Sequence, residues 1–224
     1  MSLGNIYLRP RNFFIKLSQA SILLPIYTGL VNYKKLTKQY RILFYFFVAS
    51  AGIEVLSEVM KATVSNNMPC MHLLVPIELF MLSIIYYDHF RESKALRLTI
   101  VINALIFTAV WVADSFVINS IWDFKSFSRT YAAVSLLCYA LIYFHFMFRR
   151  DTEHYSSRHP MYWVNTGVII YFGSNLLYFM PTDLLLRHHH AANIGLYFHN
   201  ALNIIANCLY AQAFRCFRKQ KALS

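Results

Sequence analysis

Four of the ten acidic residues lie inside long apolar stretches: Glu54, Glu58, Glu78 and Asp114. A carboxylate in the middle of a membrane helix costs about 2.5–3.5 kcal/mol on insertion scales, so it indicates a functional site by default. Such a group can bind a cation or a polar ligand, or it can take up and release a proton. The sequence names no substrate, but it indicates where any chemistry takes place.

Amides and imidazoles follow the same helical spacing in other stretches. The last stretch places Asn200, Asn203 and Asn207 on one face, and the stretch before it carries Asn175. These amides also fit a structural alternative, because Asn in membrane helices forms interhelical hydrogen bonds worth about 0.6 kcal/mol each. Glu58 has a structural alternative too, as an i, i+3 ion pair with Lys61. The predicted ligand or proton site comprises Glu54, Glu58, Glu78, Asp114, Asn175, Asn200 and Asn203.

The elements that position these residues are predicted to be membrane helices. The chain is 58% hydrophobic and only 14% charged, with a mean hydropathy of +0.42, whereas soluble domains carry about 25% charged residues. A spanning helix needs about 20 mostly apolar residues. Seven stretches qualify, which predicts one all-α domain over residues 1–224, a seven-helix membrane bundle. The predicted spans are 13–33, 42–60, 68–90, 98–118, 130–148, 161–180 and 190–214.

The distribution of basic residues predicts the orientation of this bundle. Fourteen of the 21 lysines and arginines lie in alternate loops or after the last span, and seven lie on the other side. The excess of positive charge faces the cytoplasm, so we expect the N-terminus outside and the C-terminus inside. The basic loops would then contact anionic lipid head groups. They lack the interleaved aromatic residues of nucleic-acid-binding surfaces, so no nucleic-acid partner is expected.

This orientation places the acids, His72 and the amides in the outer half of the bundle, where they would line a polar cavity. A ligand there would make the protein a sensor, and a buried acid with alternating access would make it a transporter. A third mechanism is hydrolysis of a lipid by water activated on a metal ion such as zinc, bound to His72, His199 and carboxylates. A fourth possibility is that the protein is a structural or assembly subunit of a membrane complex. Ligand or ion binding is favoured over enzymatic activity, and a sensor would need a protein partner because the cytoplasmic loops are short.

One group of proteins shows similar segments. Asn66-Asn67, followed by His72, Pro76 and Glu78, resembles a recurring segment of small bacterial seven-helix membrane proteins of unknown function. Tyr171-Phe172 before Gly173, and the spacing of His199, Asn203 and Asn207, are similar to their sixth and seventh helices. The resemblance implies a multi-pass protein of the bacterial cytoplasmic membrane and brings no established activity.

Overall fold

The computed structural model describes residues 13–122, 127–149, 159–179 and 189–220. Every regular element in these ranges is helical, which confirms the all-α prediction. A short 3₁₀ turn, Tyr33–Lys35, precedes the third helix, and a π-helical turn, Asp114–Ile118, continues the fifth. The helices are α1 (13–20), α2 (Leu23–Asn32), α3 (Lys38–Thr63), α4 (Met68–His89), α5 (Lys94–Ala113), α6 (Phe127–Arg149), α7 (Pro160–Phe179) and α8 (His189–Gln220).

Several of these helices suit a membrane. Within the described ranges, five segments are long and apolar enough to cross one, which supports a multi-pass membrane protein. The predicted spans 161–180 and 190–214 correspond to α7 and α8, which are not among the five. Amides such as Asn175 and Asn203 lower the mean hydropathy of these two helices. Seven spans and an outside N-terminus therefore stay predictions. The five segments are Phe13–Lys35, Lys38–Thr63, Met68–His89, Lys94–Ile118 and Phe127–Arg149.

The chain divides into two compact units, each described by itself below. The terminal unit comprises Met1–Val31 and Glu153–Ser224, and the central unit comprises Asn32–Thr152. The terminal unit thus holds α1, α2 up to Val31, α7 and α8, and the central unit holds α3 to α6. A single domain over the whole chain stays a prediction.

In the central unit, α4 is the core helix and packs against α3, α5 and α6. Most of its apolar side chains are buried, including Val75 and Leu79, while Leu73, Phe80 and Ile84 form an exposed stripe on one face. The rings of Tyr40 on α3 and Tyr143 on α6 lie 6.5 and 5.7 Å from the His89 ring at one end. At the opposite end, Asn67 Nδ2 donates a hydrogen bond to Ser57 Oγ at 2.6 Å. A polar group on the buried face of this helix is isolated from lipid by α3, α5 and α6.

In the terminal unit, the first apolar segment is not one continuous helix. Pro25 has no N–H to donate to the Ser21 carbonyl, so the α-helical ladder is interrupted there. The Leu24 N–H donates to that carbonyl instead, at 3.0 Å. The Ser21 hydroxyl donates back to the Ser18 carbonyl at 2.6 Å. The predicted span 13–33 is therefore broken at residues 21–22, between α1 and α2.

Candidate functional site

The carboxylate most enclosed by protein in the middle of a helix is Glu78 of α4. Its exposed fraction is 6%. Tyr40 lies beside His89 at one end of the α3–α4 pair, and Met60 lies beside Cys70 at the other. The two contacts show that α3 and α4 run antiparallel. When residues are counted inward from each contact along both helices, Ser50 of α3 comes to the same depth as Glu78 of α4. The Ser50 hydroxyl oxygen is buried and has no hydrogen-bond partner among the described residues. An acid and a buried hydroxyl therefore lie at the same depth of the central unit.

The other two acids of α3 differ from Glu78 and from each other. Glu54 lies one helical turn from Ser50 and is half-buried. Glu58 forms an ion pair with Lys61 at 2.6 Å, with side-chain exposures of 52% and 45%. Polar residues recur at helical spacing along α3, and the structure divides this polar stripe, with Ser50 and Ser57 on the buried face and Glu58 on the exposed face. The ion-pair alternative accounts for Glu58, and Glu54 is the acid of α3 that remains close to Glu78 in depth.

Near Glu78, Pro76 interrupts the backbone hydrogen bonding of α4. Proline has no N–H, so the carbonyl of His72, four residues earlier, loses its helical donor. The indole Nε1–H of Trp111 on α5 donates to this carbonyl at 3.0 Å. The guanidinium of Arg129 on α6 donates to the neighbouring Met71 carbonyl at 3.3 Å. Trp111 therefore replaces the helical donor that Pro76 lacks, and Arg129 adds a second side-chain contact to the α4 backbone.

A double-mutant cycle tests this replacement of a backbone donor by a side chain. Trp111→Phe should cost about 1–3 kcal/mol of unfolding free energy, because a buried carbonyl loses its donor. With Pro76→Ala, an N–H returns at position 76 and can donate to the same carbonyl. The cost of Trp111→Phe in that background should then fall by about 1 kcal/mol. Unfolding in SDS, followed by circular dichroism, measures all four proteins, and equal costs in the two backgrounds would refute the replacement.

The ring of His72 lies in the same part of α4, where Pro76 interrupts the backbone hydrogen bonding. It is 4% exposed, and its Nδ1 lies 3.4 Å from the Ser115 hydroxyl. Ser115 belongs to the π-helical turn that ends α5. Such turns within helices often occur at functional sites. The sequence predicted His72, but it did not single out Trp111 or Ser115. The signal for Trp111 was the carbonyl that Pro76 leaves without a donor.

Asp114 has a local structural role in the central unit. Its carboxylate accepts from the Ser128 backbone N–H at 2.9 Å and from Asn119 Nδ2 at 2.8 Å. Ser128 lies in the first turn of α6, where backbone N–H groups lack helical acceptors. A carboxylate there also complements the positive end of the helix dipole. Asp114 therefore joins the end of α5 to the start of α6.

The predicted amides of α8 contact the first helical segment within the terminal unit. Asn203 Nδ2 donates to Ser18 Oγ at 2.9 Å, and Asn207 Nδ2 donates to Ser21 Oγ at 2.7 Å. The side chain of Asn200 bonds within its own helix, to the Leu196 carbonyl at 2.8 Å. These bonds agree with the alternative in which the amides hold helices together. They place two amides at the break between α1 and α2.

The remaining predicted residues of the terminal unit are Asn175 on α7 and His199 on α8. Asn175 is 5% exposed, and its neighbour Ser174 is 2% exposed. The Ser174 hydroxyl donates to the Tyr171 carbonyl at 2.7 Å and lies 3.4 Å from Nδ1 of His199. The seven predicted site residues are thus divided: the four acids belong to the central unit, and Asn175, Asn200 and Asn203 to the terminal unit.

The candidate metal ligands are divided in the same way, with His72 in the central unit and His199 in the terminal unit. Among the residues that the structure describes, no three His, Cys, Asp or Glu side chains form a group that could hold a metal ion. Zinc binding by His72 and His199 stays a prediction.

No protein-family model, no curated protein and no solved structure matches this chain. The resemblance to small bacterial seven-helix proteins therefore stays a prediction. The geometry of the central unit carries the functional argument.

Proposed function

We propose that this protein binds a small ligand or an ion in the central unit and acts as a sensor or a transporter in a bacterial cytoplasmic membrane. The observation that carries the proposal is the burial of Glu78 in the core helix, where its exposed fraction is 6%. The contributing groups are the Glu78 carboxylate, the Ser50 hydroxyl at the same depth and Glu54 one turn away.

The cost of keeping an acid at this depth supports a function. A carboxylate near the centre of a membrane helix costs about 2.5–3.5 kcal/mol, and an apolar residue of similar size would avoid that cost. Glu58 is ion-paired with Lys61, and the Asp114 carboxylate accepts from the Ser128 N–H at the start of α6. The Ser50 hydroxyl adds a buried polar atom for which a bound water, ion or ligand would supply a partner.

The helix irregularities near Glu78 support a conformational response. Pro76 removes one backbone hydrogen bond of α4, and Trp111 of α5 and Arg129 of α6 donate to the carbonyls of His72 and Met71. A ligand at Glu78 that favours one arrangement of α4 would shift the population of these contacts. A transporter would use the shift to change access to the site. A sensor would pass it to a protein partner in the membrane.

Proton and cation flux tests the transporter form. Full-length protein is reconstituted in liposomes that contain a trapped pH-sensitive dye, and H⁺, Na⁺ and K⁺ gradients are applied in turn. We expect one gradient to drive proton movement faster than in protein-free liposomes. Glu78→Gln should reduce that rate at least about tenfold, because the ionisable group is lost. Glu58→Gln is the matched control, since Glu58 is exposed and ion-paired, and it should change the rate less than about twofold.

A sensor would bind without flux, so the second readout is the fluorescence of Trp111 in a Trp122→Phe/Trp163→Phe background. Titration with H⁺, Na⁺ or K⁺ should change this fluorescence, and Glu78→Gln should remove the change while Glu58→Gln keeps it. Absence of both flux and a Glu78-dependent fluorescence change with all three cations would refute an ion site at Glu78.

A further inference from the structure

Seven of the eight exposed lysines and arginines among the described residues of the central unit lie at one end, which we call the basic end. It consists of residues 33–41, residues 89–97 and Arg149. The contacts of Tyr40 with His89, of His89 with Tyr143 and of Phe90 with Phe146 bring these segments to the same end. Glu92 is the one acidic residue in these segments, and Asp88 directly precedes the second of them. The exposed cations are Lys34, Lys35, Lys38, Arg41, Arg91, Lys94 and Arg149.

Polar and aromatic contacts order the two loops of the basic end. Gln39 donates a hydrogen bond to the Asp88 carboxylate, and Arg91 pairs with the same carboxylate at 3.3 Å. The guanidinium carbons of Arg41 and Arg97 lie 5.3 and 4.1 Å from the ring centroids of Tyr33 and Tyr87. Tyrosines with adjacent cations are typical of the membrane–water interface, where the ring is apolar and the hydroxyl is hydrated.

The opposite end of the central unit carries no such excess among its described residues. Lys61 is paired there with Glu58. The half-buried Arg129 lies at the same end as the Asp114 carboxylate, and its guanidinium bonds the Met71 carbonyl. The charge asymmetry is therefore a property of the folded unit and not only of the loop sequences.

We propose that the basic end is a binding surface for the anionic head groups of membrane phospholipids. Five spans of the chain are suited to a membrane, so this end lies at the depth of a head-group layer. A surface of exposed Lys and Arg complements the phosphates of an anionic leaflet, which attracts such residues near a membrane surface. This inference is independent of the ligand at Glu78. Arg150 and Arg158, which the sequence places on the same side, lie outside the described residues.

Native mass spectrometry of the full-length protein with added phosphatidylglycerol or phosphatidylcholine of equal chain length tests this proposal. The variant carries Lys34→Gln, Lys35→Gln, Lys38→Gln and Lys94→Gln together. We expect the natural protein to bind phosphatidylglycerol at least about tenfold more strongly than phosphatidylcholine, since each cation contributes about fivefold. The variant should lose at least about fivefold of that preference, the contribution of one cation. Added salt should weaken the preference of the natural protein, because exposed charges are screened.

Lys61→Gln is the matched control, because it removes an exposed lysine at the opposite end. It should keep the preference of the natural protein for phosphatidylglycerol. The proposal is overturned if the natural protein binds both lipids equally. It is also overturned if the fourfold variant keeps its preference, or if Lys61→Gln loses as much of it. Thermal unfolding of each variant in detergent shows that loss of lipid binding is not loss of fold.

Discussion

Asp114→Ala is expected to destabilise the protein by about 2–4 kcal/mol. The substitution removes the acceptor of the Ser128 N–H, which lies at a residue with no exposed surface, and of the Asn119 amide. Hydrogen bonds to charged groups contribute about 1.5–3 kcal/mol, and the loss of a helix cap costs about 1 kcal/mol more. The apparent free energy of unfolding in SDS, followed by circular dichroism, measures the effect.

Two variants separate this cap from a function of Asp114 in ligand binding. Asn119→Ala removes only one of the two donors and should cost less than about 1 kcal/mol. Asp114→Asn keeps one oxygen acceptor and should give an intermediate loss. If Asp114→Ala costs no more than Asn119→Ala, or raises stability, the carboxylate is not an important cap of α6. Asp114 would then return to the set of candidate ligand-binding acids.

Gly167→Ala is expected to destabilise the terminal unit by about 1–3 kcal/mol, the usual range for an overpacked core. A Cβ at this position of α7 would lie 2.8 Å from Cε1 and 2.9 Å from Cζ of Tyr210 on α8. The Tyr210 ring is 3% exposed, so it has little room to move away. Thermal unfolding in detergent, followed by tryptophan fluorescence, should show a lower midpoint.

Gly173→Ala is the matched control in the same helix. A Cβ there would meet no atom within 4 Å. Alanine favours a helix over glycine by about 1 kcal/mol, so this variant should unfold at an equal or higher temperature. Equal loss of stability in the two variants would mean that close contact between Gly167 and Tyr210 does not decide how α7 packs on α8.

The helices were largely predictable from hydropathy, while their interruptions depended on single residues. The predicted span 68–90 differs by one residue from α4, Met68–His89. The predicted span 130–148 lies within α6, Phe127–Arg149. These bounds follow from runs of apolar residues between polar loops. The break at residues 21–22 follows from Pro25, which a window average does not resolve. The π-helical turn after Ala113 is set by tertiary contacts of Asp114 and Ser115, which a sequence pattern does not contain.

The candidate site was predictable in composition more than in arrangement. Burial of Glu78 and His72 follows from the cost of polar groups in lipid, and both are buried. The partner of each polar group could not be predicted, because spacing along one helix does not identify the facing helix. The sequence spacing places Glu58 and Lys61 on the same helix face as Ser57, yet in the structure the ion pair is exposed and Ser57 is buried.

The hydrogen bond between Trp111 and the His72 carbonyl has a consequence for biosynthesis. When α4 leaves the ribosome, the residue that completes its backbone bonding is still 39 positions away along the chain. An unpaired carbonyl in hydrocarbon costs several kcal/mol, so α4 alone is an incomplete membrane helix. Its final geometry forms only once α5 has been synthesised and lies beside it. We therefore expect the two helices to reach their final state in the bilayer as a hairpin and not one after the other.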